Sequence, residues 1–239
     1  MDRPTKNRRY NLLDELRGLA VIAMVLYHAL FLLGEVFGGA AMRDWFHSAR
    51  PVQPFIAGTF ILICGICCRL SRSNLKRGLR LAGFAVALTL STYAITLIGI
   101  DEIILFGVLH FLAVAILVFC LLDKALTKLP PLPQFLLFFL LFFLTANLPL
   151  PRGNSLPLFI LGFPSRTWHS ADYFPLIPWL FLFLAGTAIG IYAKQGRLPA
   201  FFDKPRCAAL RWVGKYALWI YLLHQPLMFA LVTLYQFIT

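Results

Sequence analysis

From Gly18 to Phe37 the chain is apolar apart from His28 and Glu35, and about 20 such residues are enough to cross a bilayer as one helix. Asn11 stands ahead of this run as a candidate cap, with Asp14 and Glu15 in what would be the first turn. At about 100° per residue, Arg17 and His28 fall on nearly the same face, with Asp14 one turn below Arg17. A rise of about 1.5 Å per residue sets His28 roughly 16 Å deeper than Arg17, near the membrane centre. An imidazole at that depth is costly to hold and marks a candidate functional residue; the plainer alternative is a neutral ring bonded to a neighbouring helix.

The rest of the chain has the same character. Of 239 residues, 60% are hydrophobic and only 13% charged, which describes a polytopic membrane protein. No soluble stretch is long enough for a separate core, so residues 1–239 read as a single transmembrane domain. A net charge of +12 would suggest nucleic acid in a soluble protein. Here the basic residues gather in alternate connections between apolar runs, which argues against nucleic acid as a partner. Cys64, Cys67 and Cys68 lie inside one apolar run, Cys120 ends another and Cys207 lies in a connection. They read as small buried filler rather than a disulfide framework or metal site, so no metal is expected. The first run is too long for an ordinary signal peptide and is read as an uncleaved span.

The expected fold is all-α, a polytopic helix bundle of about seven spans. These are Gly18 to Phe37, Pro54 to Leu70, Leu81 to Ile100, Ile103 to Leu122, Gln134 to Leu148, Pro175 to Tyr192 and Trp212 to Phe237. Arg43 to Gln53 is read as a polar connection, and Asp101 with Glu102 as a tight acidic turn. Pro149 to Phe174 is the longest irregular stretch; its proline-broken apolar segment is too short to span and suits the interface or a re-entrant dip. The fifth span has no polar face and is expected to meet lipid. Gly186 and Gly190 form a GxxxG pair suited to close helix packing. With the N-terminus inside, every Lys and Arg except Arg43, Arg50, Arg152 and Arg166 falls on the inner side, which gives N-in and C-out.

His110 then lies roughly 13 Å from the outer turn and His224 roughly 14 Å from the inner side. With His28, they place three histidines within a turn or two of the midplane, for which a shared polar cavity is the economical explanation. The other two are in outer connections. His169 stands among Arg166, Trp168, Asp172 and Tyr173, a set divided between interface chemistry and a polar substrate mouth. His47, near Trp45 and Arg50, either meets an incoming acceptor or is merely solvated. On the inner face Arg69, Arg72, Lys76, Arg77 and Arg80 form a basic patch, suited to anionic lipid headgroups or to a phosphate-bearing ligand.

LLDELRGLAVIAMVLYH, FILICGICCRLSRSNLKRGLRLAG, FGVLHFLAVAILV, DYFPLIPWLFLFLAGTAIG and WVGKYALWIYLLHQPLMF, in that order, resemble bacterial membrane proteins containing the heparan-alpha-glucosaminide N-acetyltransferase catalytic domain. LDELRG, DYFPLIPW and IYLLHQP are the most specific pieces. More distantly, the Arg17-to-His28 spacing and the late YLLH resemble membrane acyltransferases that O-acetylate surface polysaccharides. The resemblance implies a protein of the bacterial inner membrane that moves an acyl group, acetyl in the first place, from cytoplasmic acyl-CoA to a sugar or other small acceptor. It implies acyl-CoA phosphates on Arg69, Arg72, Lys76, Arg77 and Arg80, and an acceptor near Arg166, His169, Asp172 and Tyr173. His28 would be the base, with Asp14 and Arg17 fixing one another and His110 or His224 orienting the base or stabilising the oxyanion. In the animal lysosomal enzyme the proposed catalytic histidine lies in a following luminal loop, whose nearest counterpart here is His47, so both histidines stand as candidates. A heparan acceptor does not carry over. The other classes that fit are a proton-coupled transporter with midplane histidines, against which no internal repeat is found, and a non-enzymatic membrane subunit. Self-association into a homo-oligomer is left open.

Overall fold

Apolar runs broken by proline, glycine and clustered charge dictate the elements. The computed structural model describes residues 9–36, 39–97, 103–148, 158–165, 168, 170 and 172–238. Among them the regular structure is helical: α1 Asn11–Phe31, α2 Ala40–Ala49, α3 Gln53–Leu70, α4 Asn74–Thr96, α5 Val108–Leu126, α6 Pro131–Asn147, α7 Leu158–Leu161, α8 Leu176–Lys194, α9 Ala208–Lys215 and α10 Ala217–Ile238. The only pairing of extended backbone among the described residues is an isolated bridge between Phe106 and Tyr173. The protein is all-α.

Four helices in the described part are long and apolar enough to cross a membrane: Asn11–Glu35, Ala40–Leu70, Val108–Leu126 and Leu176–Lys194. The apolar α6 is shorter, and many of its side chains, including Leu136, Phe139, Leu140 and Phe143, are exposed. Such a surface belongs in hydrocarbon, where a helix satisfies its own backbone. α4 starts before Leu81, so Lys76, Arg77 and Arg80 lie on helix rather than in a connection. α5 begins at Val108 instead of Ile103. The expected outer connection from Arg43 is largely helix, since α2 runs on through one tight turn into α3. The expected last span is two helices, because Tyr216 leaves helical geometry between α9 and α10. The acidic turn at Asp101 and Glu102 lies outside the described residues.

Two compact units result: Met1–Phe60 with Leu198–Thr239, and Ile61–Arg197. In the first unit α1 packs against α9 and α10. The α1–α9 crossing is possible because glycines meet: a Cβ on Gly18 would overlap the Leu210 carbonyl, and one on Gly214 would overlap that of Asp14. Glu15, buried, accepts backbone N–H bonds from Arg206 at 2.7 Å and Cys207 at 2.9 Å, closing the start of α9. Asn11 is the first helical residue rather than the cap; its amide donates to the Asp203 carbonyl and accepts from Arg211.

In the second unit α4 packs on α5 and α6 on α8. Phe111, Ile116, Phe119 and Phe183 are fully buried there, where close side-chain packing rather than transfer out of water holds apolar helices together. Gly186 does what its spacing predicts. A Cβ on it would strike the Leu62 carbonyl, and one on Gly65 the Phe183 carbonyl, so α3 and α8 touch backbone to backbone.

Candidate active site

Two helices of the first unit bring His28 and His224 together. His28 Nδ1 lies 2.7 Å from His224 Nε2, and the rings stack 5.0 Å apart, nearly parallel. His224 is buried, and its Nδ1 lies 2.7 Å from the Tyr221 carbonyl oxygen. That oxygen can only accept, so the proton of a neutral His224 is on Nδ1. Its Nε2 must then accept, and His28 donates through Nδ1. The remaining His28 nitrogen, Nε2, keeps its lone pair and has no partner among the described residues. Sequence alone aligned these two rings in depth; the 2.7 Å contact is the new fact.

Asp14 and Arg17 pair at 3.1 Å, as expected, but Asp14 also takes Arg9 at 2.8 Å. LDELRG is thus largely architecture: an ion pair, the buried Glu15 cap and the Gly18 crossing. His47, on α2, lies 3.2 Å from the Glu35 carboxylate and is half exposed. Glu35 was legible only as the second polar residue of the first run.

His110 belongs to the second unit, and its own neighbours occupy it. Gly107 N–H donates to His110 Nδ1 at 3.3 Å, and His110 Nε2 meets the Thr89 hydroxyl at 2.9 Å. Thr89 donates to the Ile104 carbonyl, so the imidazole supplies the proton to Thr89. Both nitrogens are used in holding the start of α5. Asp172 contributes to the same knot by accepting from Val108 N–H at 3.0 Å. Tyr173 donates its hydroxyl to the Phe159 carbonyl at 2.6 Å and stacks edge-on against Trp168. Burial pushes its phenol up to about 12. DYFP therefore ties the approach to α8 to the start of α5. Arg166 and His169 lie outside the described residues.

The expected basic patch divides. Arg72, Lys76 and Arg80 are exposed. Arg77, expected to face water, turns inward and donates to Cys64 Sγ at 3.0 Å. Arg69 is buried, paired with Asp123, bonded to the Thr187 carbonyl at 3.3 Å and laid over the Phe119 ring at 4.8 Å. Asp123 and Thr187 were not legible as partners, because both lie on other helices. No group of three or more His, Cys, Asp or Glu arranged to hold a metal occurs among the described residues.

No curated protein and no solved structure matches the chain. Residues 9–226 match the family described as "Heparan-alpha-glucosaminide N-acetyltransferase, catalytic". That span runs from the Arg9–Asp14 pair, through both units, to just past His224. With its apolar membrane-crossing helices and the joined His28 and His224, the chain is an integral membrane protein and belongs to this acetyltransferase family.

Proposed function

We propose that the chain is a membrane acyltransferase that takes an acyl group, acetyl in the first place, from cytoplasmic acyl-CoA and passes it to a sugar or other small acceptor at the membrane or its outer face. In this reading residues 1–239 work as one domain of about seven spans, N-in and C-out, in the bacterial inner membrane. The observation that carries it is the hydrogen-bond chain from the Tyr221 carbonyl through His224 to His28, in a member of an acetyltransferase family.

The chemistry follows from the tautomers. His28 Nε2 takes the proton of the acceptor's amine or hydroxyl as that group attacks the thioester carbonyl. His28 becomes imidazolium, and its Nδ1–H bond to His224 strengthens because it is now charge-assisted. The C–S bond breaks, the proton passes from His28 to the departing sulfur, and free CoA thiol and acylated acceptor result. His224 is a positioning residue, holding the ring and its tautomer. Asp14 and Arg17 steady the base of α1, while the exposed Arg72, Lys76 and Arg80 attract the donor's phosphates.

His47 gives a second reading, favoured by its Glu35 contact. A carboxylate on one ring nitrogen orients the other toward an incoming group. One experiment separates the two. Purified protein in vesicles is given acetyl-CoA and a panel of amino sugars and sugar alcohols, and acetylated product is counted for the unaltered chain, His28→Ala and His47→Ala. Loss with His28→Ala and retention with His47→Ala is expected. The opposite pattern assigns the base to His47, and no product with any acceptor, together with no binding of acetyl-CoA, removes the acyltransfer reading.

A further inference from the structure

Within the second unit, the ends of three helices line an open cavity of about 620 Å³. Arg69 comes from the last turn of α3, Lys128 from the turn between α5 and α6, and Lys194 from the last turn of α8. Three cations from three parts of the chain thus line one space of a size usual for a small-molecule site. Neither lysine has a carboxylate within ion-pair distance among the described residues, and the one acid engaged with the set is Asp123, on Arg69.

Arg69 is the telling member. It is 7% exposed, and its guanidinium is held by Thr187 through Nε, by Asp123 through Nη1 and by the face of Phe119. Its remaining nitrogen, Nη2, is buried with no hydrogen-bond partner among the described residues. An orphaned N–H on a buried cation is costly, and natural structures rarely leave one without a purpose. Lysines at the ends of α5 and α8 also complement the carbonyls exposed there. That accounts for Lys128 and Lys194 but gives Nη2 no acceptor.

We propose that this cavity is a binding site for a phosphate-bearing group, with Arg69 as its fixed fork and Lys128 and Lys194 as its mobile charges. A guanidinium fixed by three contacts keeps its one unpartnered nitrogen at a set angle beside the cavity that Arg69 lines, which suits a tetrahedral oxyanion once side chains there yield, while lysines supply adaptable charge. Two sources carry that chemistry: the phosphates of coenzyme A, an assignment that rests on the acyltransfer reading, and the headgroup of an anionic phospholipid, which does not.

The test uses the full chain, purified in neutral detergent and reconstituted in phosphatidylcholine nanodiscs. Binding of coenzyme A is measured by calorimetry, and binding of phosphatidylglycerol by native mass spectrometry, for the unaltered protein and for Lys128→Gln/Lys194→Gln. Both lysines are exposed, so the double variant folds without needing Arg69 replaced. A charge-matched control, Lys204→Gln/Lys215→Gln, removes two cations from the other unit. If coenzyme A is the source, its affinity falls about tenfold or more in the first variant and changes little in the control. If lipid is the source, retention of phosphatidylglycerol falls instead and coenzyme A is unaffected. Equal binding of both ligands by the first variant and the unaltered protein overturns the site. Failure of the acyltransfer reading looks different: the unaltered protein then binds no coenzyme A at all, while the lipid measurement still reports on the lysines.

Discussion

His28 and His110 were expected to lie at similar depths, yet their surroundings differ in kind. His110 has a donor on one nitrogen and an acceptor on the other, both supplied by groups around the start of α5. Its proton is locked and its lone pair is taken. His28 has one nitrogen tied to His224, whose proton is fixed by a main-chain carbonyl, and the other nitrogen without a partner among the described residues. An imidazole bonded on both sides has no lone pair to spare; one bonded on a single side, with its tautomer imposed, has a nitrogen that can still accept a proton, as the proposed role of His28 requires. Depth in the membrane does not separate the two, whereas counting donors and acceptors does.

The largest effect that follows is on activity. Replacing His28 by Ala removes the proposed proton acceptor, and turnover should fall by about 10²–10⁴-fold, the usual contribution of a positioned general base. Replacing His224 by Ala should cost less, about 10 to 100-fold, corresponding to loss of one charge-assisted hydrogen bond of about 1.5–3 kcal/mol. His224→Gln should recover part of this, since an amide oxygen can accept from His28 Nδ1–H. Initial rates across pH 5 to 9, with circular dichroism as the check on folding, measure all three. A purely structural His224 would give unfolded protein with Ala and no change in the pH profile with Gln.

The next effect falls on the close crossings, where the two units use the same device. Gly214→Ala forces a methyl against the Asp14 carbonyl, and Gly186→Ala forces one against that of Leu62. Backbone cannot step aside as a side chain can, so each should destabilise by about 1–3 kcal/mol or more. Gly83, on α4, has nothing among the described residues within 4 Å of where its Cβ would be. There Ala should stabilise slightly, by up to about 1 kcal/mol, through helix propensity alone. Thermal melts of the three variants in one detergent compare them directly; equal melting temperatures would mean that the crossings relax freely.

What sequence disclosed, and what it did not, follows the reach of each interaction. The apolar runs, the Asp14–Arg17 pair and the Gly186 crossing depend on spacing within one helix, and they were legible. The partners of Glu15, Arg69 and Arg77 depend on other helices, and they were not. Arg77 was expected in the inner-face basic patch and instead donates to Cys64 on another helix. Asp172 and Tyr173 stood beside Trp168 as a candidate acceptor site; their oxygens are engaged by Val108 and Phe159, each distant in sequence. Of the site itself, depth and face suggested His28 and His224, but which nitrogen is free depended on a carbonyl three residues before His224.

His110 gives the complementary test of the opening contrast. His110→Ala removes an acceptor from Gly107 N–H and a donor to Thr89, so it should destabilise by about 1–2 kcal/mol. Turnover per folded molecule should stay within about twofold of the unaltered chain, far from the 10²–10⁴-fold expected at His28. Chemical denaturation followed by far-UV signal gives the first quantity, and active-fraction-corrected rates give the second. A large loss of turnover without loss of stability would return His110 to the catalytic set.

The smallest effect belongs to Tyr173, in the knot that His110 shares. Tyr173→Phe deletes the hydroxyl bond to the Phe159 carbonyl, made at 2.6 Å, and keeps the ring against Trp168. A single hydrogen bond of this kind is worth about 0.5–1.5 kcal/mol net. The phenol's position, raised from 10.0 to about 12 by burial, adds a pH signature of known sign. The folded state holds the proton more tightly than the unfolded state does. The stabilising contribution is therefore complete below pH 10 and is lost as pH rises through about 12. The unaltered protein should lose stability across that window faster than Tyr173→Phe, so their difference shrinks with alkali even though both weaken. Melting temperatures of the pair at pH 8, 10 and 11 test this. A difference independent of pH would mean that the hydroxyl ionises equally easily in the folded and unfolded chains, so that burial does not hold its proton.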